Sequence, residues 1–349
     1  MKKGLTKIKN ATIMNKNSIL AKGKACILQA WKEPIMKTKV FINGHEGTTG
    51  LRIHDRLKSR DDIELISIDD ELRKDPKAVK DCLAAADIAF LCLPDGAARE
   101  AAVLAEDLSV RLIDTSTAHR TAAGWIYGFP ELSATQRAAI AAGKRIANPG
   151  CHASGVIAAV QPLIAAGVMA ADYPVTAYSL TGYSGGGRKM IEQYEGPDRT
   201  AAFSAPRQYG LNQMHKHLPE MKKFSGLQYE PAFTPVVADY YSGMEVTVPI
   251  FTRLLQKKVG CRDIWQLYSE HYGNSPFIRV AAVDDAKRLV GANALAGYDD
   301  MEILISGNDE RIVITTLFDN LGKGASGAAI ENMNYMIGAE ATTGLKLHR

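Results

Sequence analysis

The sequence lacks paired cysteines, long apolar runs and any strong excess of one charge. Its five cysteines (26, 82, 92, 151 and 261) are scattered, odd in number and free of Cys-x-x-Cys spacing. That excludes a disulfide framework and fits a reducing cytoplasm. No apolar stretch approaches the ~20 residues that a membrane-spanning helix requires, so no membrane partner is expected. The net charge of +4 is misleading. Eight lysines against one acid give residues 1–35 a charge of +7, leaving −3 on the remaining 314. The body of the chain is therefore mildly acidic and offers nothing to a nucleic acid. Internal repeats and low-complexity segments are missing as well.

What is there suits two ordinary domains: 349 residues, of which 46% are apolar. Residues 1–35 stand apart. They are rich in lysine rather than arginine and have no apolar core ahead of a small-residue cleavage site, unlike a targeting peptide. They are expected to be a disordered extension, with Met36 as the functional start.

The next 115 residues alternate strand and helix. Thr38 to Asn43 reads as a strand, Leu51 to Ser59 as a helix, Glu64 to Asp69 as a strand and Pro76 to Ala86 as a helix capped by Asp75. Strands over Asp87–Leu93, Val110–Thr115 and Arg145–Ala147 follow, with a helix opened by Ser133 and stopped at Gly143. This alternation predicts an α/β, Rossmann-type parallel sheet with ligands at the carboxyl ends of its strands. The turn Gly44-His45-Glu46-Gly47-Thr48-Thr49-Gly50 ends the first strand. Glycines at that spacing let a pyrophosphate approach the backbone and aim helix N–H groups at it. Asp69 could hold a ribose hydroxyl, whereas Arg73 and Lys74 could hold a 2′-phosphate, which leaves NAD and NADP both open.

After residue 165 the alternation fades. Strands over 175–180, 245–250, 279–283, 301–306 and 311–319, with a helix near 261–273, predict an α+β substrate domain with a mostly antiparallel sheet. A helix over Lys323–Gly338 carries Ala328, Ile330, Met333 and Met336 as an apolar stripe and should return to the first domain.

Cys151 joins the two halves, in Asn148-Pro149-Gly150-Cys151-His152. A cysteine on the first turn of a helix meets unpaired N–H groups and a dipole that favour a thiolate nucleophile. Three other runs could serve it. His215 and His217, two residues apart on extended chain or loop because Pro219 biases Leu218 away from helix, offer a general acid/base. Ser184-Gly185-Gly186-Gly187-Arg188-Lys189 reads as a flexible or tightly turned loop that could bind an anion. Ser116 and Arg120 follow the fourth strand, where a substrate would meet a cofactor. A zinc site from Cys151, His152, His215 and His217 matches no usual ligand spacing, so no metal is expected.

These runs, in this order, resemble the short (type 2) N-acetyl-gamma-glutamyl-phosphate reductases, relatives of aspartate-semialdehyde dehydrogenase. Leu93-Pro94-Asp95-Gly96, Tyr127-Gly128-Phe129-Pro130-Glu131-Leu132, His215-Lys216-His217-Leu218-Pro219-Glu220 and Asp319-Asn320-Leu321-Gly322-Lys323-Gly324 extend the match from about Met36 to the C-terminus. The resemblance implies a nucleotide-binding domain over 36–150, a catalytic domain over 151–320 and a C-terminal helix over 321–349 that returns to the first. It implies NADP, bound by the glycine-rich turn with Arg73, Pro94, Ser184, Gly185 and Asn320. It also implies Cys151 as nucleophile, His217 rather than His215 as acid/base, and Asn148 at the oxyanion. The small-molecule substrate would be held by Ser116, Arg120, Arg188 and Glu220. The reaction implied is reduction of N-acetyl-5-glutamyl phosphate to the 5-semialdehyde, in arginine biosynthesis, by a cytoplasmic homo-oligomer. Rival readings are an aspartate-semialdehyde dehydrogenase and a non-catalytic NADP-binding protein.

Overall fold

The computed structural model describes residues 37–282 and 289–348. The extension expected over 1–35 lies outside them. The first strand, β1 (Thr38–Asn43), is buried from Val40 to Asn43 and ends in the glycine-rich turn. Helix α1 (Thr48–Leu57) leaves that turn, burying Gly50, Ile53 and Leu57 on one face. The alternation continues through β2 (Ile63–Ile66), α2 (Pro76–Ala85), β3 (Ile88–Leu91), α3 (Asp95–Leu104), β4 (Arg111–Asp114), β5 (Ile126–Tyr127), α4 (Ala134–Ala142) and β6 (Arg145–Ala147). Asp75 caps α2 by accepting the Ala78 N–H at 2.8 Å, as its position before Pro76 suggests. The six strands pair in parallel in the order β2-β1-β3-β4-β6-β5. Strand order reverses between β1 and β3, so their carboxyl ends flank a crevice. The sequence reading missed α3 and the two-residue β5.

Helix α5 (Cys151–Ala165) is buried along most of its length and leads to the second sheet. There follow β7 (Thr176–Gly182), α6 (Gly187–Glu195), β8 (Arg207–Gln208), α7 (Leu218–Ser225), β9 (Ala232–Ala238), β10 (Met244–Phe251), α8 (Cys261–Tyr272), β11 (Ile278–Val280), β12 (Met301–Gly307) and β13 (Arg311–Phe318). The order is β11-β12-β13-β10-β7-β9-β8, antiparallel apart from the β7–β9 and β11–β12 pairs. Val156, Val246, Ile314 and Phe318 belong to one core between α5 and this sheet.

Of the two forms expected for residues 184–186, the tightly turned one is found: a 3₁₀ turn (Tyr183–Gly186) runs into α6. One expectation needs correction. The helix expected from Lys323 starts later. Gly322–Ser326 is a π turn, and α9 (Gly327–Ile337) follows it. Ile330, Met333 and Met336 of α9 pack with Val40, Ile42, Ile113 and Ile146 of the first sheet, as the stripe predicts, and the alanine that joins them is Ala329 rather than Ala328. The described residues from Thr38 onward form one compact unit. Among them no helix is long and apolar enough to cross a membrane.

Candidate active site

The corner between β6 and α5 is built on close approach. A Cβ at Gly150 would lie 2.4 Å from Arg120 Nη1 and 2.6 Å from both Glu220 Oε1 and His217 Nε2. Only glycine lets these three groups converge on the backbone beside Cys151. From the other side, a Cβ at Gly324 would come within 2.8 Å of the Cys151 Cβ.

Cys151 is half-buried, and the His152 backbone N–H reaches its sulfur. Burial nevertheless pushes the thiol up to about 11. Arg120, that N–H and Lys216 pull it down, while Glu220 pushes it up. The thiolate expected from the helix terminus is therefore not the resting form, because desolvation outweighs one dipole and a cation already paired with Glu220. A base must take the proton.

Neutral imidazoles stand ready. The rings of His215 and His217 lie 4.7 Å apart, and those of His152 and His217 5.6 Å apart. Burial, then Arg120, holds His217 well below the usual histidine range. Burial likewise lowers His215 to about 4 and His152 to about 3. Their hydrogen bonds differ. His152 is spent, Nδ1 on Ser179 Oγ and Nε2 on the Tyr209 hydroxyl, both at 2.7 Å, so it is in no position to ligate zinc. His215 Nδ1 accepts the His217 backbone N–H at 3.2 Å. His217 Nδ1 has no partner among the described residues, and its Nε2 abuts Gly150. The histidines sit in a loop, as expected. Leu218, however, starts α7, because Pro219 fits a helix's first turn, where its missing N–H costs nothing.

The anion-holding residues fall out differently from expectation. Arg120 lines the cavity, but Nη1 donates to Glu220 Oε1 at 2.7 Å, Nε to the Asn148 carbonyl at 3.0 Å and Nη2 to the Thr115 carbonyl at 3.3 Å. Glu220 is buried and also accepts from the Tyr127 hydroxyl at 2.7 Å and the Gly150 N–H at 3.0 Å. These three bonds tie Arg120, Tyr127 and the corner backbone together. Ser116 Oγ donates to Asp114 Oδ2 at 2.9 Å and stays outside the cavity. Arg188 is exposed and, among the described residues, donates only to the Glu46 carbonyl, at 3.4 Å. The Asn148 amide donates to the Ala325 carbonyl at 3.0 Å, which leaves one of its two N–H groups for an oxyanion. Lys216, to which the sequence reading gave no role, is exposed and lines the cavity; no ion pair engages it among the described residues. Its place between the two histidines was the available signal. Tyr209 also lines the cavity, and no motif marked it.

The cavity, of about 310 Å³, joins Cys151, His215 and His217 to Thr48 and Thr49 at the N-terminus of α1 and to Ser184, Gly185 and Asn320. The turn ahead of α1 has the shape a pyrophosphate needs. Gly44 has φ +91°, a Cβ there would lie 2.4 Å from the Cys92 carbonyl oxygen, and one at Gly50 would lie 2.3 Å from the Gly44 oxygen. The unpaired N–H groups of the α1 terminus face this turn. His45 lines a smaller cavity of about 120 Å³ with Phe41, His54, Leu65 and Ser67. Glu46 forms an ion pair with Arg73, which brings that arginine to the turn. Asp69 is exposed three residues beyond β2, and Pro94 is an exposed N-cap of α3 outside the main cavity. His45, Glu46 and Asp70 place donor atoms within 4.8 Å of one another, but the two acids are exposed and Glu46 is engaged by Arg73.

Two family models match the chain: the NAD-binding domain of semialdehyde dehydrogenase over residues 27–140 and its dimerisation domain over 151–320. The chain is 45% identical over 311 residues to the N-acetyl-gamma-glutamyl-phosphate reductase of Brucella ovis, covering 87% of this chain and all of that one. It is 42% identical over 304 residues to N-acetyl-gamma-glutamyl-phosphate reductase 2 of Pseudomonas putida, covering 86% and 97%. The chain belongs to the N-acetyl-gamma-glutamyl-phosphate reductase family. Solved structures show the same fold at low identity. Aspartate semialdehyde dehydrogenase from Francisella tularensis superposes with a TM-score of 0.66 at 17% identity, covering 86% of this chain and 100% of that one. The Candida albicans enzyme, solved with NADP, gives 0.61 at 15%, covering 87% and 99%. The family model, the relatives and the fold agree on a semialdehyde-dehydrogenase-type enzyme, as the motifs predicted.

Proposed function

We propose that this reductase-family chain converts N-acetyl-5-glutamyl phosphate, with NADPH, to N-acetylglutamate 5-semialdehyde and phosphate through a thioester on Cys151. One observation carries the reading: the Cys151 thiol and the N-terminus of α1 open into the same cavity. In this division of labour residues 36–150 and the returning C-terminal helix carry the nucleotide, and residues 151–320 carry the acyl group.

His217 is the base, a neutral buried imidazole beside the nucleophile's own turn. It takes the thiol proton as the sulfur attacks the acyl carbon, and the tetrahedral oxyanion forms at the amino end of α5. The Cys151 N–H and the remaining Asn148 amide hydrogen are the donors there, and such a donor is worth about 3–4 kcal/mol. Phosphate leaves toward Lys216, a cavity cation with no ion pair among the described residues, with Arg120 adding its field from behind. The glycine-rich turn and the N-terminus of α1 would hold NADPH, which when bound would supply hydride for reduction of the thioester carbon. The proton held on His217 then returns to the hemithioacetal oxygen or sulfur as the aldehyde departs. Arg73 at the glycine-rich turn, together with Lys74, supports NADP over NAD. Homo-oligomerisation fits the dimerisation domain in the family model.

The deciding assay is phosphate-dependent reduction of NADP by N-acetylglutamate semialdehyde, run in parallel with aspartate semialdehyde. Cys151→Ser should bind NADP normally and give no thioester and no turnover. Turnover by that variant would refute the covalent route, and preference for the aspartyl aldehyde would refute the substrate.

A further inference from the structure

Behind the nucleophile and away from the cavity lies a buried cluster of one lysine and two glutamates that the chemistry above leaves unused. Lys323, in the π turn, is 2% exposed, and its Nζ donates to Glu131 Oε1 at 2.6 Å and to Glu331 Oε2 at 2.5 Å. The rings of Phe277 and Phe129 flank the ammonium, with centroids at 4.9 and 5.6 Å. Each carboxyl group keeps one oxygen, Glu131 Oε2 and Glu331 Oε1, without a hydrogen-bond partner among the described residues, and burial with Glu131 alongside pushes Glu331 up to about 8. The three residues come from the 3₁₀ turn Pro130–Leu132, the π turn and α9.

Such a cluster is a poor way to stabilise a fold, since well-packed apolar residues do as well or better. Its neighbours suggest what it specifies. Gly324, the next residue, lies against Cys151. Ala325, one further on, takes the Asn148 amide at 3.0 Å. Asn332, next to Glu331, donates to Asn148 Oδ1 at 3.1 Å and to the Gly128 carbonyl at 2.9 Å.

We propose that Lys323 is a positioning residue: bridging Glu131 and Glu331, it fixes the π turn so that Gly324 and Ala325 hold Cys151 and Asn148 where attack on the acyl carbon occurs. This rests on Cys151 being the nucleophile. A misplacement of about 1 Å at a reacting group costs on the order of 10²-fold in rate. Lys323, Glu131 and Glu331 line no part of the cavity themselves, so loss of the bridge should act on the rate before it acts on ground-state binding.

Two variants test the link at its two ends. Gly324→Ala forces a methyl group into the Cys151 side chain, and Lys323→Met removes the bridge. Melting, steady-state kinetics in both directions and the rate of Cys151 alkylation by iodoacetamide are measured on the full chain. Both variants should lose about 10²-fold in kcat while KM for NADP and for the aldehyde stays within about twofold, and both should alkylate Cys151 at an altered rate. Should Lys323→Met fail to fold, the neutral triple variant Glu131→Gln, Lys323→Met, Glu331→Gln takes its place, because it leaves no unpaired buried charge. Parental kcat in Gly324→Ala, or in whichever bridge variant folds, overturns the proposal. A rise in KM with kcat preserved overturns it too. Failure of the nucleophile assignment itself would show separately, as an alkylated parent enzyme that still turns over.

Discussion

Replacing Glu220 by Gln is the sharpest perturbation of the corner that carries Cys151. The two oxygens of Glu220 take three donors: Arg120 Nη1 and the Tyr127 hydroxyl at 2.7 Å and the Gly150 N–H at 3.0 Å. The carboxylate is 1% exposed and Arg120 8%. Glutamine keeps the volume but turns one acceptor into a donor, so at least one of the three bonds becomes a clash of hydrogens. Arg120, which stays charged at any accessible pH, loses its counter-charge in the interior. Removing one partner of a buried pair costs about 3–5 kcal/mol. At about 2 °C per kcal/mol for a chain of this size, Tm should fall by about 6–10 °C. Because Gly150 is the residue before the nucleophile, kcat should fall as well, while NADP affinity, set at the far side of the cavity, should hold. Thermal melts and nucleotide titration read both. The double variant Arg120→Met, Glu220→Gln should recover most of the lost stability, since it removes the stranded charge. A Glu220→Gln protein melting within about 2 °C of the parent would refute the argument that this pair braces the corner.

The remaining expectations concern the groups around the sulfur. His217→Ala should lower kcat by about 10²–10⁴-fold with little change in NADP affinity; if only His215→Ala does so, the proton moves through the other imidazole. Lys216→Ala should raise KM for phosphate in the oxidative direction and leave KM for the aldehyde near the parental value, with Lys216→Arg restoring most of the difference. An equal rise in both constants would deny it the phosphate. Buried neutral histidines make the fold acid-sensitive. Burial lowers His152 to about 3 and His215 to about 4 in the folded state, below the ordinary histidine value of about 6.5, so the unfolded chain binds more protons in between. Their contribution is complete above pH 6.5 and is lost as pH falls toward 4, each group adding a slope of about 1.4 kcal/mol per pH unit. Denaturant melts of the parent and of His152→Gln across that window should show a shallower fall in the variant; parallel curves would mean that His152 is not buried neutral.

The nucleotide side of the site was legible because its requirements are local. A strand, a turn whose glycines have no room for a Cβ, and a helix are consecutive in sequence, and backbone sterics alone demand Gly44 and Gly50. Cys151 was legible for the same reason: the corner and the helix start are written in neighbouring residues. The paired partners were not. Arg120 and Glu220 stand 100 positions apart, and nothing near Arg120 announces that its guanidinium is already engaged. An arginine after a strand looks free to hold a phosphate until the fold brings a carboxylate to it. Strand β9 was missed because Pro235 interrupts its pattern. The sheet tolerates that proline because it removes one N–H while its carbonyl still receives the Tyr209 N–H at 3.1 Å.

The same distinction separates which atoms react from how they are poised. A helix terminus beside a cysteine is a sequence-level feature, and by itself it argues for a thiolate. Burial, the opposing term, is a property of the assembled fold. Here α5 lies with the second sheet in one core while the turn from α9 covers Cys151 from behind, so the thiol stays protonated at neutral pH. That outcome changes the chemistry expected of the site. With a standing thiolate, the histidines would matter only at the end of the reaction. With a protonated thiol, His217 must act at the first step as well, so the pH dependence of acylation should follow an imidazole–thiol pair and not a free sulfur.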